Sequence, residues 1–125
     1  MKYKHINEYN DEEIMNILYY GSGSELKILP LSVGEFHSDY QFSQNVCFFL
    51  LENSDESENI NEDIRANAIL GLSYIARRYN KLDVAKLKIL LRQQQFSSKE
   101  NVERIEYALE DISLFLNEKL SINTT

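Results

Sequence analysis

The stretch Glu62–Tyr79, EDIRANAILGLSYIARRY, constrains the fold more than any other part of the chain. Ile64, Ala68, Leu72, Ile75 and Tyr79 recur at three- and four-residue steps, so they share one face of a helix. Ile69, Leu70 and Ala76 widen that face until little of the circumference is polar. A helix that is apolar round most of its girth has to be covered on more than one side. The stretch therefore predicts the central helix of an all-helical protein, with neighbours from before and after it in the chain. Ala66, Ala68, Gly71 and Ala76 are small. Gly71 costs about 1 kcal/mol of helix propensity relative to Ala, and a second backbone passing close by is the simplest reason for a glycine there.

The flanking segments support five or six helices in antiparallel pairs. Asn10 and Glu13 have the spacing of a capping box, and Ile14, Ile17 and Leu18 follow as a short apolar stripe. Gly21-Ser22-Gly23-Ser24 ends that helix as a turn; no Lys-Ser/Thr pair follows it, as a phosphate-binding loop requires. Leu26–Val33 contains the only proline, Pro30, and precedes Gly34. It fits either a short helix broken or opened at Pro30 or an extended connection. Ser38 and Gln41 again have capping-box spacing, before a helix from Asp39 to Glu52 that carries Phe42, Val46, Phe49 and Leu50. Asn53–Asn61 is polar, acidic and unpatterned, and reads as an exposed loop. The central helix stops at Asn80, with Arg77 and Arg78 beside the negative end of its dipole. Leu82–Gln95 gives a further helix with Val84, Leu87, Leu90 and Leu91 inward. Ser97 and Glu100 form a third capping box, opening a helix that runs to about Lys119 with Val102, Ile105, Leu109, Ile112 and Leu116 on one face. Residues 1–125 read as one domain, with 119–125 as a frayed tail.

A worn repeat runs through these elements. A shift of about 37 residues lays Ala68 on Ile105, Gly71 on Ala108, Leu72 on Leu109, Ile75 on Ile112 and Tyr79 on Leu116. A shift of about 38 lays Val46 on Val84, Cys47 on Ala85 and Phe49 on Leu87. Helix pairs repeating at a period near 40 are the mark of a stacked α-solenoid. Ile64-Arg65-x-x-Ala68-x-x-Gly71-x-x-x-Ile75 is similar to the core of HEAT-like repeats, with the Leu-Gly pair at Leu70-Gly71. Ser38–Leu116, about two-thirds of the chain, resembles a group of small bacterial HEAT-like proteins. The resemblance rests on the acidic-aromatic Asp39-Tyr40, on Val46-Cys47, on Asn67–Gly71 followed by Ala76-Arg77, and on Ala108–Ile112. Several members of that group are immunity proteins of polymorphic-toxin or contact-dependent growth-inhibition systems. The last repeat departs from the pattern, with Glu103 where an Arg is expected.

Charge and chemistry narrow the function. Hydrophobic residues make up 43% of the chain and the formal net charge is −7. The first fits a folded domain; the second argues against nucleic acid and anionic membranes and in favour of a basic partner. One cysteine excludes an internal disulfide, so a reducing cytoplasm is the expected compartment. Cys47, within an apolar run and without a His nearby, reads as a core residue. The N-terminus is polar, without the apolar region of a signal peptide, and no run is long enough to span a bilayer. His5 and His37 lack companions at metal-ligand spacing, so neither a metal nor a cofactor is expected. Glu106 and Glu110, four apart and beside Asp111, offer paired carboxylates, but no other catalytic group accompanies them, so no enzyme is expected. Three classes remain: a protein that neutralises a toxin, a small HEAT-like scaffold or adaptor for an endogenous protein, and an enzyme. Acidity, size, pattern and resemblance together favour the first, an immunity protein that binds a cognate toxin, expected to be a basic nuclease, and blocks its active site. The residues expected to hold that partner are Asp55, Glu56, Glu58, Glu62 and Asp63 before and at the start of the central helix, Glu106, Glu110 and Asp111 on the last helix, and Asp39 with Tyr40 at a third helix start.

Overall fold

A computed structural model describes residues 7–53 and 60–122. The regular elements among them are six helices, α1 (Asp11–Tyr20), α2 (Gly23–Phe36), α3 (Tyr40–Glu52), α4 (Glu62–Tyr79), α5 (Val84–Gln93) and α6 (Lys99–Leu116), and no strand occurs among the described residues.

The central helix has the bounds its sequence implies. Asn61 caps it by accepting a hydrogen bond from the Ile64 amide, and Asn80 closes it in the left-handed conformation at φ 54°. Ile64, Ala68, Ile69, Leu72, Ile75 and Ala76 are all buried. They are covered from three sides, because α4 packs against α2, α3 and α6. The other close helix pairs are α1 with α2, α2 with α3, and α3 with α5.

Two glycines set how closely α2 and α4 approach. A Cβ added to Gly34 of α2 would sit 2.6 Å from the Gly71 carbonyl oxygen of α4. A Cβ on Gly71 would collide with the Pro30 carbonyl oxygen and lie 3.0 Å from Cys47 Sγ. The mid-helix glycine is therefore where a second backbone passes, and α3 closes the same spot from the other side. Cys47 is fully buried, and desolvation pushes its thiol far above the ordinary value.

Leu26–Val33 is helical, and α2 continues through Pro30. Proline removes one backbone donor and costs about 3 kcal/mol or more inside a helix. Burial of Leu26, Leu29, Val33 and Gly34 outweighs that loss. Ser22 and Glu25 form a full capping box, so the Gly/Ser turn both ends α1 and starts α2.

Two caps lie one residue beyond the positions that spacing suggested. α3 is capped by Asp39, not Ser38: the Asp39 carboxylate accepts from the Phe42 amide at 3.0 Å, while the Asp39 amide donates to His37 Nδ1. α6 is capped by Ser98, not Ser97: the Ser98 hydroxyl accepts from the Asn101 amide, while the Ser97 hydroxyl donates to Glu62. α5 is shorter than Leu82–Gln95: Asp83 caps it and Gln94 turns inward to donate to the Leu51 carbonyl. α6 ends at Leu116 and not near Lys119, since Asn117 adopts the left-handed conformation. Beyond it Leu120 and Ile122 pack against the core.

Candidate functional site

The acidic residues singled out in the sequence occupy different environments. Asp55, Glu56 and Glu58 lie outside the described residues. Glu62 and Asp63 open α4, where acids complement the positive end of the dipole. They also face the start of α6. The Glu62 carboxylate accepts from the backbone amides of Ser97 and Ser98, from the Ser97 hydroxyl and from Asn101 Nδ2. Asp63 accepts from Asn101 Nδ2 at 2.8 Å and lies 3.9 Å from Lys27 Nζ of α2.

That contact belongs to a polar ladder across α2, α4 and α6. Asn67 donates to the Lys27 carbonyl at 2.8 Å and accepts from Arg104, which also donates to Asn101 Oδ1 at 3.2 Å. Glu103 takes no part in this ladder, and the arginine that does is Arg104. Two residues before Asn67, Arg65 donates to Gln94 Oε1 at 2.8 Å and stacks over Phe96 at 5.0 Å. These bonds join the helices by side chains that are buried or half-buried, so they are built-in parts of the fold.

The titration of Glu62 follows from this environment. Partial desolvation pushes its carboxyl upward, but the hydrogen bonds from Ser97, Asn101 and Ser98 outweigh it and hold the group below the ordinary value. A depressed folded-state pKa gives stability that is present above the unfolded value of about 4.3 and is lost as pH falls through the lower folded value. Glu62→Gln is therefore expected to lower the urea midpoint at pH 7 and to narrow the gap from wild type as pH falls toward 3. A constant gap over that range would show that the charge on Glu62 has no part in the effect.

Asp39 and Tyr40 sit at the opposite end of α4. Asp39 is exposed apart from its capping bond. Tyr40 is half-buried, edge-on to Tyr79 at 5.6 Å, and Lys81 Nζ lies 4.4 Å from its ring centre. Burial raises its hydroxyl pKa, against a hydrogen bond with Gln44 that lowers it. Since α4 has 18 residues, about 27 Å of helix separates this pair from Glu62 and Asp63. His37, nearby, lies 2.7 Å from Asp11 through Nε2 and caps α2, a structural role.

Glu106, Glu110 and Asp111 differ from the others. All three are exposed on α6, and with Glu103 and Tyr107 the two glutamates border an open depression of about 390 Å³. Glu103 and Tyr107 are not among the partner-binding residues expected from the sequence. The available signal was their place off the Val102/Ile105/Leu109 stripe. Among the described residues no group of three or more His, Cys, Asp or Glu side chains could hold a metal ion. No helix among them is long and apolar enough to cross a membrane.

No family model and no curated protein matches the sequence. Among solved structures, the chain superposes with a TM-score of 0.71 on a chain in the crystal structure of the CDI complex from Cupriavidus taiwanensis LMG 19424. The two share a fold. The match covers 92% of this chain and 97% of that one at 20% identity. The likeness is thus one of whole-chain backbone arrangement, and the CDI immunity-like resemblance read in the sequence agrees with it.

Proposed function

We propose that this chain is an immunity protein that binds a cognate toxin domain and neutralises it by covering its active site. The observation that carries the reading is the end-to-end fold match with a chain of a CDI complex. It converges with the independent sequence resemblance to immunity proteins of contact-dependent growth-inhibition systems. In this reading the protein acts by occupancy and not by turnover, in the cytoplasm of the cell that carries the toxin gene.

The helix contacts support a short HEAT-like solenoid of antiparallel pairs. α2, α4 and α6 neighbour one another in series, and α1 and α3 each pack on the helix that follows them, while α5 packs on α3 and has no close contact with α6. Such a stack exposes loops and outer helix faces on common surfaces. The net charge of −7 favours a basic toxin, and a nuclease, whose cleft must attract phosphate, is the class we propose. Contact is assigned to the acidic and aromatic positions named above, Asp39, Tyr40, Asp55, Glu56, Glu58, Glu62, Asp63, Glu106, Glu110 and Asp111.

The test is genetic. The toxin domain encoded beside this chain is expressed with and without it, and growth is followed. Restored growth with this chain, and no restoration with an unrelated acidic helical protein, supports the reading. Unrelieved toxicity, or the absence of any toxin domain beside the gene, contradicts it.

A further inference from the structure

The outer face of α6 has a composition that folding does not explain. The inner face is ordinary: Ile105, Ala108, Leu109 and Ile112 are buried, and α4 is the helix packed closely there. The opposite side presents Glu103, Glu106, Tyr107, Glu110, Asp111 and Leu114, all exposed. Tyr107 and Leu114 are 71% and 79% exposed, among the most exposed large apolar residues in the structure. None of the four carboxylates forms an ion pair or hydrogen bond among the described residues. No Lys or Arg occurs from Ile105 to Glu118, and Arg104 is turned inward to Asn67 and Asn101.

Glu103 and Glu106 are three apart, and Glu106 and Glu110 four apart, so like charges follow one another along one stripe, and the one base on it, Lys99, stands a turn before Glu103. Tyr107 lies between Glu103 and Glu110 at the same helical spacing, and Leu114 follows Glu110 by one turn. A stripe of exposed carboxylates that also holds two large apolar groups in water has the make-up of an unoccupied interface.

We infer that this face is the docking surface for a basic protein. Tyr107 and Leu114 form the apolar centre, and the surrounding carboxylates pair with the partner's Lys and Arg side chains. Charge selects this occupant. A second copy of the chain would bring the same acids together, and an anionic lipid surface or nucleic acid would be repelled. In identifying that partner as the toxin, the inference rests on the function proposed above. It narrows that proposal, because Glu62 and Asp63 already serve the α4–α6 junction whereas these carboxylates are uncommitted.

The test uses the full chain and the toxin domain encoded beside it. Glu106→Lys with Glu110→Lys is compared with Glu8→Lys with Glu12→Lys, which makes the same charge change on exposed positions before and at the start of α1. Association of the α6 variant is expected to slow by about tenfold or more at low salt, with the gap closing as salt is added. Tyr107→Ala is expected to dissociate about tenfold faster, and its exposure means its melting curve should match the parent's. An α1 variant that loses as much as the α6 variant overturns the inference, since net charge alone would then explain the effect. Unchanged binding by the α6 variant and by Tyr107→Ala overturns it too, while leaving the toxin-binding function standing. A parent chain that fails to bind the toxin domain overturns both.

Discussion

Leu72→Ala is expected to destabilise the protein by about 2–5 kcal/mol. Leu72 is fully buried in the middle of α4, the helix that touches α2, α3 and α6. Deleting its branched end removes apolar contact and leaves a cavity. The neighbours that might collapse into that cavity are held in place, on one side by the backbone approach of α2 and on another by the Asn67–Arg104–Asn101 ladder to α6. Restricted relaxation puts the loss toward the upper part of the range. Urea denaturation checks it through the midpoint with the slope unchanged. A loss well under 1 kcal/mol would mean that the centre of the core is not where the structure has it.

Gly71→Ala separates local preference from packing, because the two predict opposite signs. Helix propensity alone favours alanine by about 1 kcal/mol. In the folded chain the new methyl meets the Pro30 carbonyl oxygen of α2 and approaches Cys47 Sγ of α3 to 3.0 Å. A backbone oxygen has no rotamer with which to move aside, so α2 and α4 must separate along their contact. Overpacking of this kind costs about 1–3 kcal/mol, occasionally more. The expected outcome is a net loss of stability, and Gly34→Ala, facing the same contact from α2, should behave alike. A more stable Gly71→Ala variant would show that the helices are not in backbone contact.

The central helix was readable because period, caps and composition agree there. Asn61 and Asn80 bracket an uninterrupted apolar pattern, and Gly71 indicated the close approach before any partner was known. α2 was ambiguous because Pro30 opposes helix formation locally, and only burial against α4, a tertiary effect, decides in its favour. The shifted caps have the same origin. Ser38 and Asp39, like Ser97 and Ser98, are adjacent acceptors of nearly equal quality, and the Asp39 amide bond to His37 in one case and the Ser97 hydroxyl bond to Glu62 in the other go with the choice. Buried Gln44 and Gln94 carried no signal in sequence, yet each ties α3 to the region of α5. Gln44 accepts from the Asp83 amide at 2.9 Å, and Gln94 donates to the Leu51 carbonyl at 3.0 Å.

The candidate site was legible as acidity but not as geometry. Glu62 and Glu110 look alike in sequence. Only the approach of the α6 N-terminus turns Glu62 into an internal acceptor, whereas no helix among the described residues packs on the far side of α6, and Glu110 is exposed. Tyr107 escaped notice because one aromatic among acids fits neither the core stripe nor a charge run.

The measurement that bears most directly on the function is inhibition of the purified toxin domain by stoichiometric addition of this chain. The toxin's activity is expected to fall linearly with added chain to near zero at one equivalent, and the complex to elute as a single species. Toxin activity that persists at a large excess of folded chain, with the two proteins eluting separately, would contradict it.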